Sequence, residues 1–186
     1  MSEIVDGRRA RGAARREELI QAALAVMGRD GLSAVTHRAV AEEAGVPLAS
    51  ASYHFHGLKD LIDQAMQRAN EDLAKTLEGR PADSDGPGGL AELVFDAVTD
   101  ERDLLLAEYE FYLHTARNGG TRGIAMAWLD LVADAYAREL VGSQRQAFKA
   151  LIEGVFLHSL LQSEPADRST IEATLRAGWP RSPGDS

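Results

Sequence analysis

Hydrophobic and polar positions along this chain repeat with the period of an α-helix, and no segment alternates with the period of a strand. The first predicted helix runs from about Ala13 to Arg29, with Leu19, Ala22, Ala23 and Val26 on one side. A longer one begins near Leu58 and ends at Gly79. Further helices are predicted at about 90–99, 101–117, 121–141, 143–163 and 167–177. The pattern therefore predicts an all-α protein of about nine helices.

The segment Thr36–Phe55, THRAVAEEAGVPLASASYHF, has the most specific pattern in the chain. It predicts two short helices, Thr36–Ala44 and Leu48 to about His54, joined at a glycine. Thr36 is suited to cap the first helix, and Gly45 stands where that helix ends and a positive φ is easiest for glycine. Pro47 is placed to open the second helix. This arrangement is typical of a helix-turn-helix, whose second helix fits a DNA major groove.

The chain is predicted to divide into two parts. Residues 79–89 contain four glycines and two prolines without an apolar period, which is typical of a loop. We expect an N-terminal arm and helix-turn-helix domain over 1–57, a larger helical domain over 58–180, and a disordered tail over 181–186. No internal repeat is evident.

Charge is distributed unevenly between these parts. The net charge is −9, which would disfavour binding to nucleic acid if it were uniform. Residues 1–60, however, have eight basic and eight acidic groups, so the negative charge belongs to the rest of the chain. Five arginines lie within the first 16 residues, at 8, 9, 11, 15 and 16. Such an arm can attract phosphate locally, because salt screens charges beyond about 8 Å. A disordered, solubilising tail is the alternative interpretation.

Composition excludes several other classes of function. The chain has no cysteine, so disulfides and cysteine-based metal sites or nucleophiles are excluded. No apolar run approaches the length of a membrane span, and the N-terminus lacks the apolar core of a secretory signal. No metalloprotease, phosphate-loop or serine-hydrolase motif occurs, so we expect no enzyme, no metal and no cofactor. A cytoplasmic location is the expectation.

The Ala-Gly-Val turn at 44–46, the Tyr-His-Phe at 53–55 and the long helix that follows resemble the tetracycline-repressor (TetR) family of bacterial regulators. The resemblance covers roughly Arg15 to Leu61, and the rest of the chain is similar only in length and helical character. It implies a homodimer whose two heads insert their third helices into successive major grooves of a palindromic operator. It also implies a small-molecule effector, bound in the C-terminal domain, whose binding shifts the fourth helix and separates the heads.

The resemblance assigns DNA-contacting roles to ten residues. Thr36, at the start of the second helix, is similar to a phosphate-contacting position, and a pure capping role is the alternative. Bases would be read by the outer side of the third helix, and phosphates by residues around its end. The full set is Thr36, His37, Arg38, Leu48, Ala49, Ser50, Ser52, Tyr53, His54 and Lys59.

Two of these positions depart from the family pattern. Many members have a polar or basic residue where this chain has Leu48, which leaves little for base readout beyond a thymine methyl contact. The usual phosphate-binding lysine falls at Leu58, one residue before Lys59. Phe55 is expected in the core, and Ala49 and Ala51 have a plain helix-forming role as their alternative.

Aromatic side chains collect in the later helices, where an apolar effector pocket is expected. Candidate lining residues are Tyr109, Tyr112, Trp128, Phe156, Glu108 and His114. Ordinary core packing is the competing interpretation for each aromatic residue. The effector itself is unknown; a mainly apolar or aromatic molecule is the expectation.

The last two long helices are apolar around more than one face, with Phe148, Ile152, Val155 and Phe156 among their residues. A second apolar face is typical of helices that form a four-helix bundle with a partner subunit. A fully buried central helix would produce the same pattern. The chain is thus expected to be a ligand-responsive, DNA-binding repressor. The alternative is an all-helical partner-binding protein with a degenerate head.

Overall fold

The computed structural model describes residues 2–81, 85–119, 121–164 and 167–180, with side chains from Arg9 onward. Within these residues the regular secondary structure is helical throughout, which confirms the all-α class. The α-helices are α1 Ser2–Asp30, α2 His37–Glu43, α3 Leu48–His54, α4 Leu58–Glu78, α5 Gly86–Thr99, α6 Arg102–Asn118, α7 Arg122–Tyr136, α8 Gly142–Leu161 and α9 Arg168–Gly178. A single 3₁₀ turn, Leu32–Ala34, connects α1 to α2.

Three helix boundaries differ from the prediction. α1 begins at Ser2 rather than near Ala13, because the arginines and alanines before Leu19 favour a helix without supplying an apolar period. α5 begins at Gly86, within the predicted loop, with a proline in its first turn where no N–H is needed. α7 ends at Tyr136, five residues early, and a turn follows in which the Leu140 N–H donates to the Ala137 carbonyl over 3.0 Å.

The chain forms two compact units that are interleaved along the sequence. The first comprises the residues up to Asn70 together with Leu106–Ala125, and the second comprises Glu71–Leu105 together with the residues from Met126 onward. α4, α6 and α7 each contribute to both units. The functional division at residues 57 and 58 stays a prediction, and the predicted tail at 181–186 lies outside the described residues.

The core of the first unit is built mainly by α1 and α4. It includes side chains from α2, α3 and α6 as well, all almost completely buried. Those most completely removed from solvent include Leu19, Val26, Met27, Leu61 and Phe111. Its N-terminal part, residues up to about 60, is called the head below.

The second unit is held by packing of α5, α8 and α9. α9 packs against α5 and α8, and α5 also packs against α8. Its buried side chains include Leu90, Val94, Phe148, Ile152, Ile171 and Leu175. Among the described residues, no helix is long and apolar enough to cross a membrane.

Candidate nucleic-acid interface

The turn between α2 and α3 has the hydrogen bonds of a Schellman motif. The Val46 N–H donates to the Ala41 carbonyl over 2.9 Å, and the Gly45 N–H donates to the Glu42 carbonyl over 3.1 Å. Gly45 has a φ of 64°, in the left-handed region where a side chain is unfavourable. The predicted glycine turn is confirmed, and it fixes the angle at which α3 leaves α2.

Thr36 caps α2 as predicted. Its φ of −137° is extended, and its Oγ1 accepts a hydrogen bond from the Ala39 N–H over 3.0 Å. The side chain is exposed, and its hydroxyl donates a hydrogen bond to no acceptor among the described residues. Capping uses the oxygen as an acceptor, so the hydroxyl can still donate to a phosphate. The two roles considered for Thr36 are therefore compatible.

α3 has one buried side and one exposed side. Ala51 is fully buried and Phe55, directly after the helix, is almost so, which confirms the core role expected for Phe55. Ala49 and Ser52 are exposed, Ser50 is half-buried, and half of the Leu48 surface is exposed. The candidate base-reading residues therefore have accessible surface on a helix whose other side is fixed in the head.

Tyr53 and His54 form a pair at the end of α3. Tyr53 is 84% exposed, a high value for a large aromatic side chain, and the half-buried His54 ring meets it edge to face at 5.2 Å. This exposure leaves the hydroxyl of Tyr53 accessible from outside the head. A hydroxyl at the end of such a ring can reach a phosphate.

The charged candidates beside α3 have acidic partners in this structure. The Arg38 Nε donates to Glu42 over 3.0 Å, and the Lys59 Nζ lies 2.5 Å from Asp63. Both pairs are single-turn helical pairs on the surface, which contribute about 0–1 kcal/mol each. Phosphates can therefore compete with these carboxylates for the two cations.

His37 has a more enclosed position than the other candidates. Its ring is half-buried, and the buried Nδ1 has no hydrogen-bond partner. A buried ring nitrogen without a partner costs free energy, whichever form of the ring is present. The other ring nitrogen, Nε2, is the candidate atom for a DNA contact.

Polar contacts that span long sequence distances join α6 to the head, and join the start of α7 to α4, within the first unit. A carboxylate oxygen of Glu110, on α6, accepts from the Leu32 N–H over 2.5 Å. Thr121 donates to Asp63 over 2.9 Å, and Asn70 donates to the Ile124 carbonyl over 2.9 Å. The sequence pattern does not reveal these residues as partners, because nothing local pairs residue 32 with residue 110.

Four of the predicted effector-binding residues lie in the first unit, on α6. Tyr109 and Tyr112 contact each other edge to face at 5.6 Å, and Glu108 is half-buried. His114 is exposed and lies next to Asn118 on the same helix. Phe111, which lies between Tyr109 and Tyr112 on α6, packs into the core that α1 and α4 build.

The other two predicted effector-binding residues, Trp128 and Phe156, lie in the second unit. Their rings meet edge to face at 5.4 Å, and both are almost completely buried. Glu153, one turn before Phe156 on α8, was not identified from the sequence. Burial raises the pKa of this carboxyl. Among the described residues, no group of three or more histidine or acidic side chains is arranged to hold a metal ion.

An open apolar groove of about 400 Å³ runs along the outer side of α8 and α9. Leu151, Gly154 and Val155 line it from α8, and Ile171 lines it from α9. Beside it Leu161 is 77% exposed, and Leu157 is exposed as well. This surface is more apolar than a solvent-facing pair of helices requires.

A capped helix, a glycine turn and a second helix with an accessible outer side define a helix-turn-helix DNA-binding protein. Two family models match this chain. Residues 19–65 match the bacterial regulatory proteins of the tetR family, and residues 85–181 match the tetracyclin repressor-like C-terminal domain. The chain therefore belongs to the tetracycline-repressor family, and it is a ligand-responsive, DNA-binding transcriptional regulator.

Known relatives agree over most of the chain. The HTH-type transcriptional regulator BetI of Brucella anthropi is 27% identical over 84% of this chain and 88% of its own. A member of the TetR family from Streptomyces coelicolor A3 has a TM-score of 0.75 and 33% identity, covering 90% of this chain and 99% of its own. The multidrug binding protein EbrR, solved with proflavin, has a TM-score of 0.71 and 34% identity, covering 88% of this chain and 99% of its own. EbrR has also been solved with ethidium and with malachite green.

Proposed function

We propose that the protein is a homodimeric repressor that binds a palindromic operator and is released from it by a small molecule. The observation that supports this most directly is the exposed outer side of α3, with Tyr53 at its end, on a helix whose inner side is fixed by Ala51. As a regulator of chromosomal DNA it would act in the cytoplasm. No catalytic role is proposed for any residue.

On this proposal the ten candidate residues divide by the part of DNA they contact. Phosphates on either side of the DNA major groove are bound by the Tyr53–His54 pair and by four further residues: Thr36, His37, Arg38 and Lys59. Ser50 and Ser52 read base edges, and Leu48 and Ala49 contact thymine methyl groups or simply allow close approach. Because few residues read bases, we expect contacts with the DNA phosphate backbone to supply most of the binding affinity.

The effector proposed here is an aromatic cation of moderate size. EbrR has been solved with proflavin, ethidium and malachite green, and all three are flat or propeller-shaped aromatic cations. Aromatic side chains attract such ions through their faces, and carboxylates neutralise them. The first unit supplies Tyr109 and Tyr112 as candidate aromatic residues and Glu108 as a candidate carboxylate, and the second unit separately supplies Trp128 and Phe156. His114 remains a candidate for orienting the ligand.

The α8–α9 groove is the proposed dimer interface. Its apolar lining and the exposed Leu157 and Leu161 would be covered by the same helices of a second copy, which gives a four-helix bundle. Apart from its own stretch of helix backbone, no described atom lies within 4 Å of the position a Cβ would take at Gly154, so a second helix has room to approach there. Replacing Gly154 with leucine should therefore weaken the dimer, which sedimentation equilibrium would measure.

The DNA-binding proposal is tested by titrating the full-length protein against the intergenic DNA beside its own gene. Fluorescence anisotropy at two salt concentrations should show one site bound much more tightly than unrelated duplex, with affinity falling steeply as salt rises. Tyr53→Phe should weaken binding to every sequence alike, whereas Ser50→Ala should change the preference among sequences.

Two outcomes would contradict these assignments. Equal, weak binding to every duplex would favour a partner-binding protein with a degenerate head, a possibility that the apolar Leu48 on the outer side of α3 raises. A change of sequence preference in Tyr53→Phe would show that this hydroxyl contacts bases rather than phosphates.

The effector proposal is tested with malachite green, since ethidium and proflavin also intercalate into DNA. We expect the dye to bind the protein in the absence of DNA and to lower its affinity for the operator. Glu108→Gln should weaken dye binding and leave operator affinity unchanged. Failure of the dye to bind or to release the operator would reject this class of effector and leave the DNA-binding test untouched.

A further inference from the structure

The N-terminal part of α1 is a basic helix, and its described side chains from Arg9 to Glu18 lie outside the buried core of the head. Residues 7–16 read GRRARGAARR, with five arginines and no acidic residue. α1 continues through this segment, since the helix begins at Ser2. Among the side chains that the structure describes, the first buried one of α1 is Leu19, and from Arg9 to Glu18 every side chain is exposed or half-buried. Packing therefore does not explain why this segment is basic.

The arginines of this segment lie on one side of the helix. With about 100° per residue, Arg9, Arg11, Arg15 and Arg16 fall within an arc of about 160°. Ala10, Ala13 and Ala14 occupy the other side. A solubilising tail needs charge but no alignment, so a one-sided arrangement points to an extended anionic partner.

This basic side begins at the DNA-contacting end of α3. The guanidinium of Arg16 lies 5.4 Å from the centre of the Phe55 ring, and Phe55 directly follows the Tyr53–His54 pair. Arg16 also lowers the pKa of Asp60, next to Lys59 in the first turn of α4, although hydrogen bonds from Gln64 and His56 have larger effects. α1 therefore leaves the core at the junction of α3 and α4. Arg9 lies about 10 Å further along its axis.

Arg9 and Arg11 also differ from the other cations in this region in their pairing. Arg38 and Lys59 have carboxylate partners, and Arg15 lies 2.9 Å from Glu18. Arg9 and Arg11 are exposed and form no ion pair with any described side chain. Two cations without an ion-pair partner among the described side chains, at the edge of the proposed DNA-contacting surface, are matched in charge to the phosphates that flank a bound site.

We propose that this N-terminal extension of α1 is a second DNA-contacting element, in which Arg9 and Arg11 bind backbone phosphates beyond the segment read by α3. The inference rests on the proposed function, because it names further contacts with the same operator. These contacts add affinity and salt dependence but no sequence preference, since phosphates are the same at every base pair. They also offset part of the repulsion between an acidic protein and DNA.

The test compares the wild type with the double variant Arg9→Gln/Arg11→Gln by anisotropy between 50 and 200 mM KCl. Each phosphate contact contributes about 0.9 to the slope of log affinity against log salt, so the slope should fall by about 1.8 per protomer. Over that range the salt-dependent loss of affinity should shrink about 12-fold per protomer. The preference for the operator over unrelated duplex should stay the same.

Arg138→Gln/Arg176→Gln is the matched control, because it removes the same charge from the second unit and should leave the slope close to wild type.

Shortening the DNA duplex on both flanks separates a direct phosphate contact from a general effect of charge. Trimming should weaken the wild type and have little effect on Arg9→Gln/Arg11→Gln. Circular dichroism should show both variants folded, since neither pair is buried.

This inference would be overturned if the wild type selects its operator but Arg9→Gln/Arg11→Gln has the same slope of log affinity against log salt and the same dependence on the flanks. That result would leave the proposed function intact. A wild type without any site preference would instead contradict the proposed function. Equal slope changes in the double variant and its control would also overturn the inference, because net charge alone would then account for the effect.

Discussion

Phe111 offers the sharpest test of how the head is stabilised. It lies on α6, far along the chain from the helix-turn-helix, yet it is 2% exposed and packs into the core formed by α1 and α4. Replacing it with alanine removes a ring from a small core whose other members are mostly aliphatic. We expect Phe111→Ala to destabilise the head and to weaken DNA binding, although no DNA contact is changed.

The magnitude follows from burial. Transfer of a phenylalanine side chain out of water stabilises by about 1.5–3 kcal/mol, and the cavity left by truncation brings the usual cost of Phe→Ala to about 3–5 kcal/mol. Phe111→Leu keeps most of the apolar volume and should cost about 1.5 kcal/mol or less. Because whole domains are stable by about 5–15 kcal/mol, the alanine variant should lose a large share of the stability of the first unit.

Urea unfolding followed by far-ultraviolet circular dichroism would measure these values. Protein concentration must be fixed, because the proposed dimerisation would link stability to concentration. Arg117→Ala, at an exposed position on the same helix, is the control and should change stability by less than about 0.5 kcal/mol. A loss below about 1 kcal/mol for Phe111→Ala would refute the assignment of this ring to the head core.

Three further predictions concern the turn, the ion pairs and a helix cap. Gly45→Ala should lower the free energy of unfolding in urea by about 1–2 kcal/mol, because φ at this position is 64°. The space around Gly45 is open, so no clash is expected to add to this cost. Gly123→Ala is the control: this glycine lies in a helix with equal space, and its replacement should show no such loss. Hydrogen bonds from Lys149, and more weakly from Arg145, lower the pKa of Asp130, so this carboxylate stabilises the folded state above about pH 4 and the stabilisation is lost as pH falls further. The difference in melting temperature between wild type and Asp130→Asn should therefore shrink from pH 6 to pH 3, and a constant difference would contradict the pairing. Hydroxyl and backbone hydrogen bonds in the first turn of α9 lower the pKa of Asp167 to about 2, which carboxyl-carbon NMR titration would measure; an ordinary value near 4 would show that the cap is open in solution.

The helix-turn-helix could be predicted from the sequence because its signals are local. A cap at Thr36, a glycine at the end of α2 and the start of α3 at Leu48 each depend on one or two neighbouring residues, and the structure confirms them. Two of the three boundaries that differed are those where an apolar period is weak or missing. The basic start of α1 and the glycine-rich start of α5 have no such period, so periodicity placed both starts too late.

Tertiary partners could not be predicted in the same way. The helical period of its apolar residues shows that α6 has a buried side, but it does not show what covers that side. Nothing in the sequence near Glu110 or Phe111 indicates that the first bonds to Leu32 and the second enters the core of the head. The unpartnered Nδ1 of His37 likewise depends on which side chains surround it. Such contacts depend on chain segments that are far apart in sequence.

The arrangement of α6 suggests how effector binding and DNA binding could be coupled on the proposed function. Ala107, Glu110 and Phe111 fall on one side of this helix and contact the head, whereas Glu108 and Tyr109 fall on the other side by the helical period. A ligand that binds Glu108 or Tyr109 acts on the same rigid element that holds the turn at Leu32. The ligand can favour the DNA-released conformation only by as much as it binds that conformation more tightly. The strength of release should therefore depend on how much more tightly the ligand binds the DNA-released conformation, rather than on its overall affinity.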